Sequence, residues 1–157
     1  MSRKKKLKQQ YIKPDSIYNN FLISLLISKI LKSGKKSLAN HIVYKMCSIL
    51  KNQTEENPID ILKKAIIIVS PKIELKDKKI GKRIRKTPVE ITSYRATYLA
   101  LKWIIKFSKK RNEKTMGQRL ANEILDILDN NSETIRERKR VHRIAKSNKS
   151  FVFHFKP

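Results

Sequence analysis

Glycine is almost absent from this chain, with three in 157 residues, and that scarcity excludes a glycine-rich phosphate loop. Cysteine is scarcer still. Cys47 stands alone, so no internal disulfide can form and a reducing compartment is implied; it sits inside a helical apolar pattern and reads as a small buried hydrophobe. Histidine is sparse as well. His41, His142 and His154 are scattered, with no carboxylate or cysteine at metal-ligand spacing, and no serine or cysteine has a nucleophile motif around it. Glu55 and Glu56 are adjacent acids on a loop and read as solvated surface. No apolar run reaches the roughly 20 residues that span a bilayer. The basic start followed by FLISLLISKIL imitates a signal peptide, but Lys29 interrupts the apolar stretch and no small-x-small cleavage site follows. The expectation is no metal, no cofactor, no enzyme, no membrane partner, and a protein made in the compartment where it works.

Acidic residues are the most telling shortage. Thirteen Asp and Glu face 38 Lys and Arg, for a net charge of +25. A chain this positive repels itself unless something negative neutralises it. Folded RNA or DNA fits best, because every phosphate contacted releases a counterion.

What the chain does have is helical periodicity, interrupted once. From Pro71 to Pro88 it carries eight Lys or Arg against Glu74 and Asp77. Ile73 and Leu75, then Val89 and Ile91, alternate at the two ends in the manner of extended chain. Gly81 supplies the turn between the arms, and the prolines stand where a strand tolerates them. This predicts a basic two-stranded ribbon.

Around it the pattern predicts six helices. The first is capped by Asp15 or Ser16, carries Phe21, Leu22, Leu25, Leu26 and Ile30 inward, and stops at Gly34. The second turns Leu38, Ile42, Met46 and Ile49 inward. Asn57-Pro58 opens the third, with Leu62, Ala65, Ile66 and Val69 inward. Thr92 or Ser93 opens the fourth, with Tyr94, Tyr98, Leu101 and Ile105 as its core face; Tyr98 and Trp103 are read as packing rather than base-stacking residues. Thr115 with Gln118 forms a capping box for the fifth, whose Leu120, Ala121, Ile124, Ile127 and Leu128 face inward. Thr134 with Glu137 forms a second box for the sixth, where Ile144 and Ala145 look inward. The fold class is therefore mostly α, a six-helix bundle-like domain with a protruding two-stranded β-ribbon. Residues 1–14 read as a basic arm, 15–150 as a single helical domain with the ribbon at 71–91, and 151–157 as a tail bearing Phe151, Phe153 and Phe155.

Positive charge recurs in every part of that plan. Arg3, Lys4, Lys5, Lys6, Lys8 and Lys13 crowd the arm. Lys35 and Lys36 make a corner. Arg95, Lys102, Lys106 and Lys109 line one face of the fourth helix, and Arg136, Arg140 and Arg143 one face of the sixth. A single basic stripe is usually a solvated face; an arm, a corner, a ribbon and two helices together point to a polyanion.

The order of the blocks carries a resemblance. ILKSGKKSLA (30–39), IVY (42–44), NPIDILKKAI (57–66), V-x-P (69–71) and a ribbon closing on PVEI (88–91) are followed by LALKWII (99–105), KKR (109–111), MGQRLANEILD (116–126) and RKRVHRIAKSNKSF (138–151). From about Asp15 to Phe151 the chain resembles the family of the seventh protein of the small ribosomal subunit, in its bacterial and plastid form. The resemblance implies direct binding to the 3′ major domain of small-subunit rRNA, nucleation of head assembly, neighbouring ribosomal proteins, and a ribbon near the exit-site tRNA and mRNA. It implies rRNA contacts at Lys35 and Lys36, at Lys76, Lys78 and Lys79 of the ribbon, at Lys109, Lys110 and Arg111, and at His142, Arg143, Asn148 and Lys149. Charge adds the arm residues Arg3, Lys4, Lys5 and Lys6, the tip residues Lys82 and Arg83, the helical Arg95 and Lys102, and Arg140. Where the family turns its ribbon on Gly-Gly, Gly81 is here followed by Lys82. The richness in Lys, Ile and Asn points to an A/T-rich genome, and the expected home is a plastid ribosome, with mitochondrial and bacterial ribosomes as alternatives. From other classes, a basic DNA-binding regulator would use a helix in the major groove, and an RNA-processing enzyme would need an acid/base or metal constellation that this sequence does not have.

Overall fold

The computed structural model describes residues 13–80 and 83–148, in which six helices and one antiparallel two-stranded ribbon occur in the expected order. Expectations on the arm before Lys13, the Gly81–Lys82 turn, Lys149 and the aromatic tail fall outside the described residues. None of the helices is long and apolar enough to cross a membrane.

The described chain begins at a well-tied point. Asp15 is buried, and its carboxylate accepts the N–H groups of Ile17 and Tyr18 (3.2 Å each) and the Tyr44 hydroxyl (2.9 Å). It caps a turn rather than the helix. The first helix, α1, runs Phe21–Ile30, with Asn20 as its cap. Leu25 and Leu26 are buried as expected, joined by Ile23 and Ile27, while Phe21 lies 40% exposed. After α1, Ser33 and Gly34 both take positive φ (50° and 73°), the conformation for which glycine is suited.

Helix α2 (Lys36–Thr54) buries Ala39, Val43, Met46, Cys47 and Leu50. That stripe is one position round from the one expected, and Leu38 lies 54% exposed. Burial pushes the Cys47 thiol up to about 11, which fits an inert core residue. Helix α3 (Pro58–Val69) is as expected, with Asn57 as cap, Pro58 in the first turn, and Leu62, Ala65, Ile66 and Val69 buried.

Strands β1 (Ile73–Ile80) and β2 (Arg83–Glu90) pair antiparallel, from Ile73 opposite Glu90 to Ile80 opposite Arg83. Helix α4 (Ser93–Ser108) buries Ala96, Leu99, Ala100, Leu101, Ile104, Ile105 and Phe107. Tyr94, expected inward, is 56% exposed; the close-packed line runs through alanines instead.

Helix α5 (Met116–Leu128) packs against α2, α3 and α4 and carries the centre of the core in Leu120, Ala121, Ile124 and Ile127. Its capping box of Thr115 and Gln118 is fully formed. At Gly117 the α5 backbone meets α2 directly. A Cβ there would sit 3.3 Å from the Ile42 carbonyl oxygen and 3.3 Å from the Lys45 Cβ. Helix α6 (Glu133–Ser147) is capped by Ser132, whose hydroxyl accepts the Thr134 N–H at 2.9 Å. The expected Thr134–Glu137 box does not form: Thr134 donates to the buried Glu123, and Glu137 pairs with Arg140.

Candidate nucleic-acid interface

Carboxylates are unevenly distributed. Helices α1, α2 and α4 contain no Asp or Glu at all, whereas α3 carries Asp60, α5 Glu123 and Asp126, and α6 Glu133 and Glu137. Since α1 packs on both α2 and α4, the acid-free helices are neighbours. This asymmetry was present in the sequence, and a count of acids per helix would have found it.

The N-terminal end of α2 is the first basic element. Lys35 occupies the cap position with no side-chain cap bond, and no acid stands in the first turn. Open N–H groups and the positive end of the helix dipole therefore lie beside Lys35 and Lys36, both exposed. Helix α4 also starts uncapped, at Thr92, while the other four helices have side-chain caps. The two unfinished ends belong to acid-free helices. Below the α2 corner lies a half-open hollow of about 460 Å³, with Leu38, Ile42, Ile105 and Met116 along its apolar wall and Lys32, Lys35, Lys109 and Arg119 among its basic residues. Folding thus brings the GKK corner to the KKR segment.

Helix α4 joins this corner to the ribbon. Arg95, Lys102, Lys106 and Lys109 are all exposed along it, and at 1.5 Å per residue the row spans about 21 Å. The Lys106 and Lys110 ammonium groups lie 5.2 and 5.1 Å from the centre of the Phe107 ring. Arg95 is not loose: its guanidinium donates twice to Glu74, at 3.0 and 2.6 Å, fastening the ribbon's root to α4. Lys110 lies 3.9 Å from Glu133.

Register sorts the ribbon's charges by face. Lys76, Lys78, Arg83 and Arg85 share one side with Thr87, and Lys78 stands directly opposite Arg85. The other side brings Lys79 opposite Ile84 and Asp77 opposite Lys86. Like charges placed opposite each other strain a ribbon that is marginal on its own.

Helix α6 holds both strands. The Lys72 N–H donates to His142 Nε2 at 3.3 Å, and Asn148 Nδ2 donates to the Lys86 carbonyl at 2.9 Å. Burial, with Arg138 and Lys72 close by, holds the imidazole below its ordinary pKa, which favours the neutral ring that can accept. Two residues expected at the rRNA thus serve the ribbon's attachment in the described structure. Arg143 is exposed; Arg140 is exposed but gripped by Glu137 at 2.7 Å twice. That grip holds Glu137 below its usual carboxylate range.

Arg111 departs from the expected pattern. Only 25% of its side chain is exposed, and its guanidinium reaches Glu113 (2.9 Å), Glu123 (3.0 Å) and Asp126 (2.5 Å). Glu123, almost fully buried, also accepts the Ser132 and Thr134 hydroxyls at 2.6 Å each. Asn122, then Arg111, hold Glu113 down at about 2. Arg111 therefore ties the α4–α5 loop to the start of α6 from inside. Arg119 and Arg138 also turn to backbone carbonyls, of Glu113 and Ile68. Arg3, Lys4, Lys5, Lys6, Lys82 and Lys149 lie outside the described residues.

Among the described residues no group of three His, Cys, Asp or Glu could hold a metal ion.

Comparison with known proteins finds matches over nearly the whole length. The family model described as ribosomal protein S7p/S5e matches residues 2–149. The small ribosomal subunit protein uS7 of Rubrobacter xylanophilus is 41% identical over 143 residues, covering 91% of this chain and 92% of that protein. Those of Bifidobacterium longum subsp. infantis and Gloeothece citriformis are 40% and 37% identical over 154 residues, covering 98% of this chain and 99% of each.

Proposed function

Since the chain belongs to the ribosomal protein S7p/S5e family, we propose that it grips folded small-subunit rRNA along the acid-free side of α1, α2 and α4 and along the ribbon. Membership makes it a structural constituent of the small ribosomal subunit, working in translation, and not an enzyme. The observation that carries the rRNA reading is the pairing of two uncapped helix starts with the exposed basic groups Lys35, Lys36, Arg95, Lys102 and Lys109 on acid-free helices. Phosphates there gain N–H donors, a helix dipole and ammonium groups together. Recognition is of folded shape and backbone, as expected for RNA whose deep groove side chains cannot enter.

The ribbon face of Lys76, Lys78, Arg83 and Arg85, with Lys82 at the tip and Lys79 on the reverse, extends the grip away from the bundle. Arg3, Lys4, Lys5 and Lys6 add an arm, and Lys110, Arg140, Arg143 and Lys149 a second edge. Arg111 we assign to the fold, and His142 and Asn148 to ribbon placement. The proposed target is the 3′ major domain, whose binding nucleates head assembly next to other small-subunit proteins, with the ribbon toward exit-site tRNA and mRNA. The proposed setting is a plastid ribosome, for which the Lys-, Ile- and Asn-rich composition speaks; identifying the chain by mass spectrometry in ribosomes from purified plastids tests that.

The deciding experiment is a salt-titrated binding assay against the isolated 3′ major domain, with duplex DNA as competitor. Tight binding that survives excess DNA supports a primary rRNA binder. Equal affinity for both, collapsing together as salt rises, would reduce the protein to a polycation.

A further inference from the structure

Most of the acid-free side is charged, but one spot on it is aromatic. Phe21, at the start of α1, and Tyr94, at the start of α4, touch across the helix pair with ring centroids 6.5 Å apart and planes tilted by 44°. They leave 40% and 56% of their surface open. An aromatic pair on so polar a surface does not serve the core, which α1 and α4 fill with Ile23, Leu26, Leu101 and Ile104.

Cations follow the pair along α4, with one acid among them, the Glu74 that Arg95 grips. One turn along α4, Tyr98 carries the Lys29 ammonium 3.5 Å from its ring centre and the Arg95 guanidinium at 5.3 Å. Tyr98 is thereby a tether, one of its faces already covered. Lys102 follows a turn later on the same line of α4. The α4 N-terminus under Tyr94 has no side-chain cap and no acid in its first turn.

Open ring surface flanked by ammonium and guanidinium groups, with backbone N–H donors at one end, matches one ligand chemistry. A nucleobase offers a π-face to the rings while its two phosphates meet the cations. A protein partner would be served by the apolar surface but not by the run of cations beside it. We infer that Phe21 and Tyr94 form a stacking platform for one unpaired rRNA nucleobase, its flanking phosphates met by Lys29, Lys102 and the uncapped start of α4. The inference rests on the rRNA reading above and adds a base contact to what is otherwise a grip on phosphates.

The test replaces both rings by leucine, Phe21→Leu with Tyr94→Leu, in the full-length chain. Leucine keeps apolar bulk and helix propensity but has no π-face. Affinity for the 3′ major domain transcript is expected to fall roughly five- to a hundredfold, the range that removing one stacked base gives. The slope of affinity against salt is expected to stay put, because no charge is removed. Tyr94→Trp is expected to bind like the wild type. As a measurement independent of any variant, ultraviolet cross-linking of the wild-type complex is expected to leave a nucleotide adduct on Tyr94 or Phe21.

Double-variant affinity within twofold of wild type, or adducts only at other residues, would overturn the platform while leaving the rRNA reading intact. Loss of a neighbouring subunit protein from a reconstituted particle at unchanged rRNA affinity would overturn it too, and assign the face to protein. Failure of the wild type to prefer rRNA over duplex DNA would instead remove the reading beneath it.

Discussion

Glu74 on β1 holds Arg95 on α4 through two hydrogen bonds, of 2.6 and 3.0 Å, and so decides where the foot of the ribbon stands. Planar two-pronged pairing fixes direction as well as distance. The Arg95 hydrogen bond keeps the Glu74 carboxyl below its usual range. A carboxylate with a depressed folded pKa stabilises above the unfolded value and loses that contribution as pH falls through the folded one. Amide protection at Lys76–Lys79, corrected for the intrinsic pH dependence of exchange, is therefore expected to fall in acid in the wild type, below the ordinary value of 4.5. In Glu74→Gln it is expected to be lower at neutral pH and nearly flat across that range. Identical profiles in the two proteins would show that the grip does not position the ribbon.

Removing Lys35 and Lys36 together, by alanine, is expected to weaken binding to the 3′ major domain and to shallow its salt slope by about one for each phosphate no longer neutralised. Both side chains are exposed and neither has an acidic partner in its helix, so thermal stability is expected to hold. A salt slope equal to the wild type's would take this corner out of the interface.

Arg111→Ala is expected to do the reverse. It leaves the buried Glu123, and also Glu113, each short of one donor, Asn122 still holding Glu113, and frees Asp126, a loss of about 1–3 kcal/mol by thermal or denaturant unfolding. Glu113 stands at about 2 through Asn122 and Arg111, so its contribution to wild-type stability is expected to be complete above the ordinary 4.5 and to fade progressively as pH falls from there to about 2. In the variant that decline is expected to be shallower, because the Glu113 carboxyl moves back toward its ordinary value. Its RNA salt slope should match the wild type's; a shallower slope would return Arg111 to the interface.

Leu101 and Leu38 separate core from rim. Leu101 is fully buried, and Leu101→Ala is expected to cost about 2–5 kcal/mol in denaturant unfolding. Leu38, on the wall of the basic hollow, is expected to cost within about 0.5 kcal/mol on the same change. Equal losses would mean that the face assigned to α2 is misplaced.

Where the sequence misled, it did so through size. Leu38 and Tyr94 are large and apolar enough to claim an inward face, yet Ala39, Ala96 and Ala100 occupy it. Small residues mark where helices come close, and a reading weighted by bulk passes over them. Helix α3, where the four residues read as inward are all buried, was legible apart from Ile61. So was the ribbon, since its signal is local alternation at the two ends of a short basic stretch. The Arg111–Glu123 pair spans 12 residues and two elements, and no local pattern announces it. The α6 cap shows the same limit: Thr134 and Glu137 have capping-box spacing, but a buried carboxylate from α5 captures the threonine, and Ser132 caps instead. Basic residues were easy to count; which of them the fold keeps for itself was not.

Gly117 sets a length. Because a Cβ there would meet the Ile42 carbonyl oxygen and the Lys45 side chain, each at 3.3 Å, the start of α5 cannot slide along α2 without breaking that seat. Lys35 and Met116, from the starts of the two helices, line the same basic hollow. The width of that hollow on this side is thereby machined into the molecule by a missing methyl group, which works as a spacer.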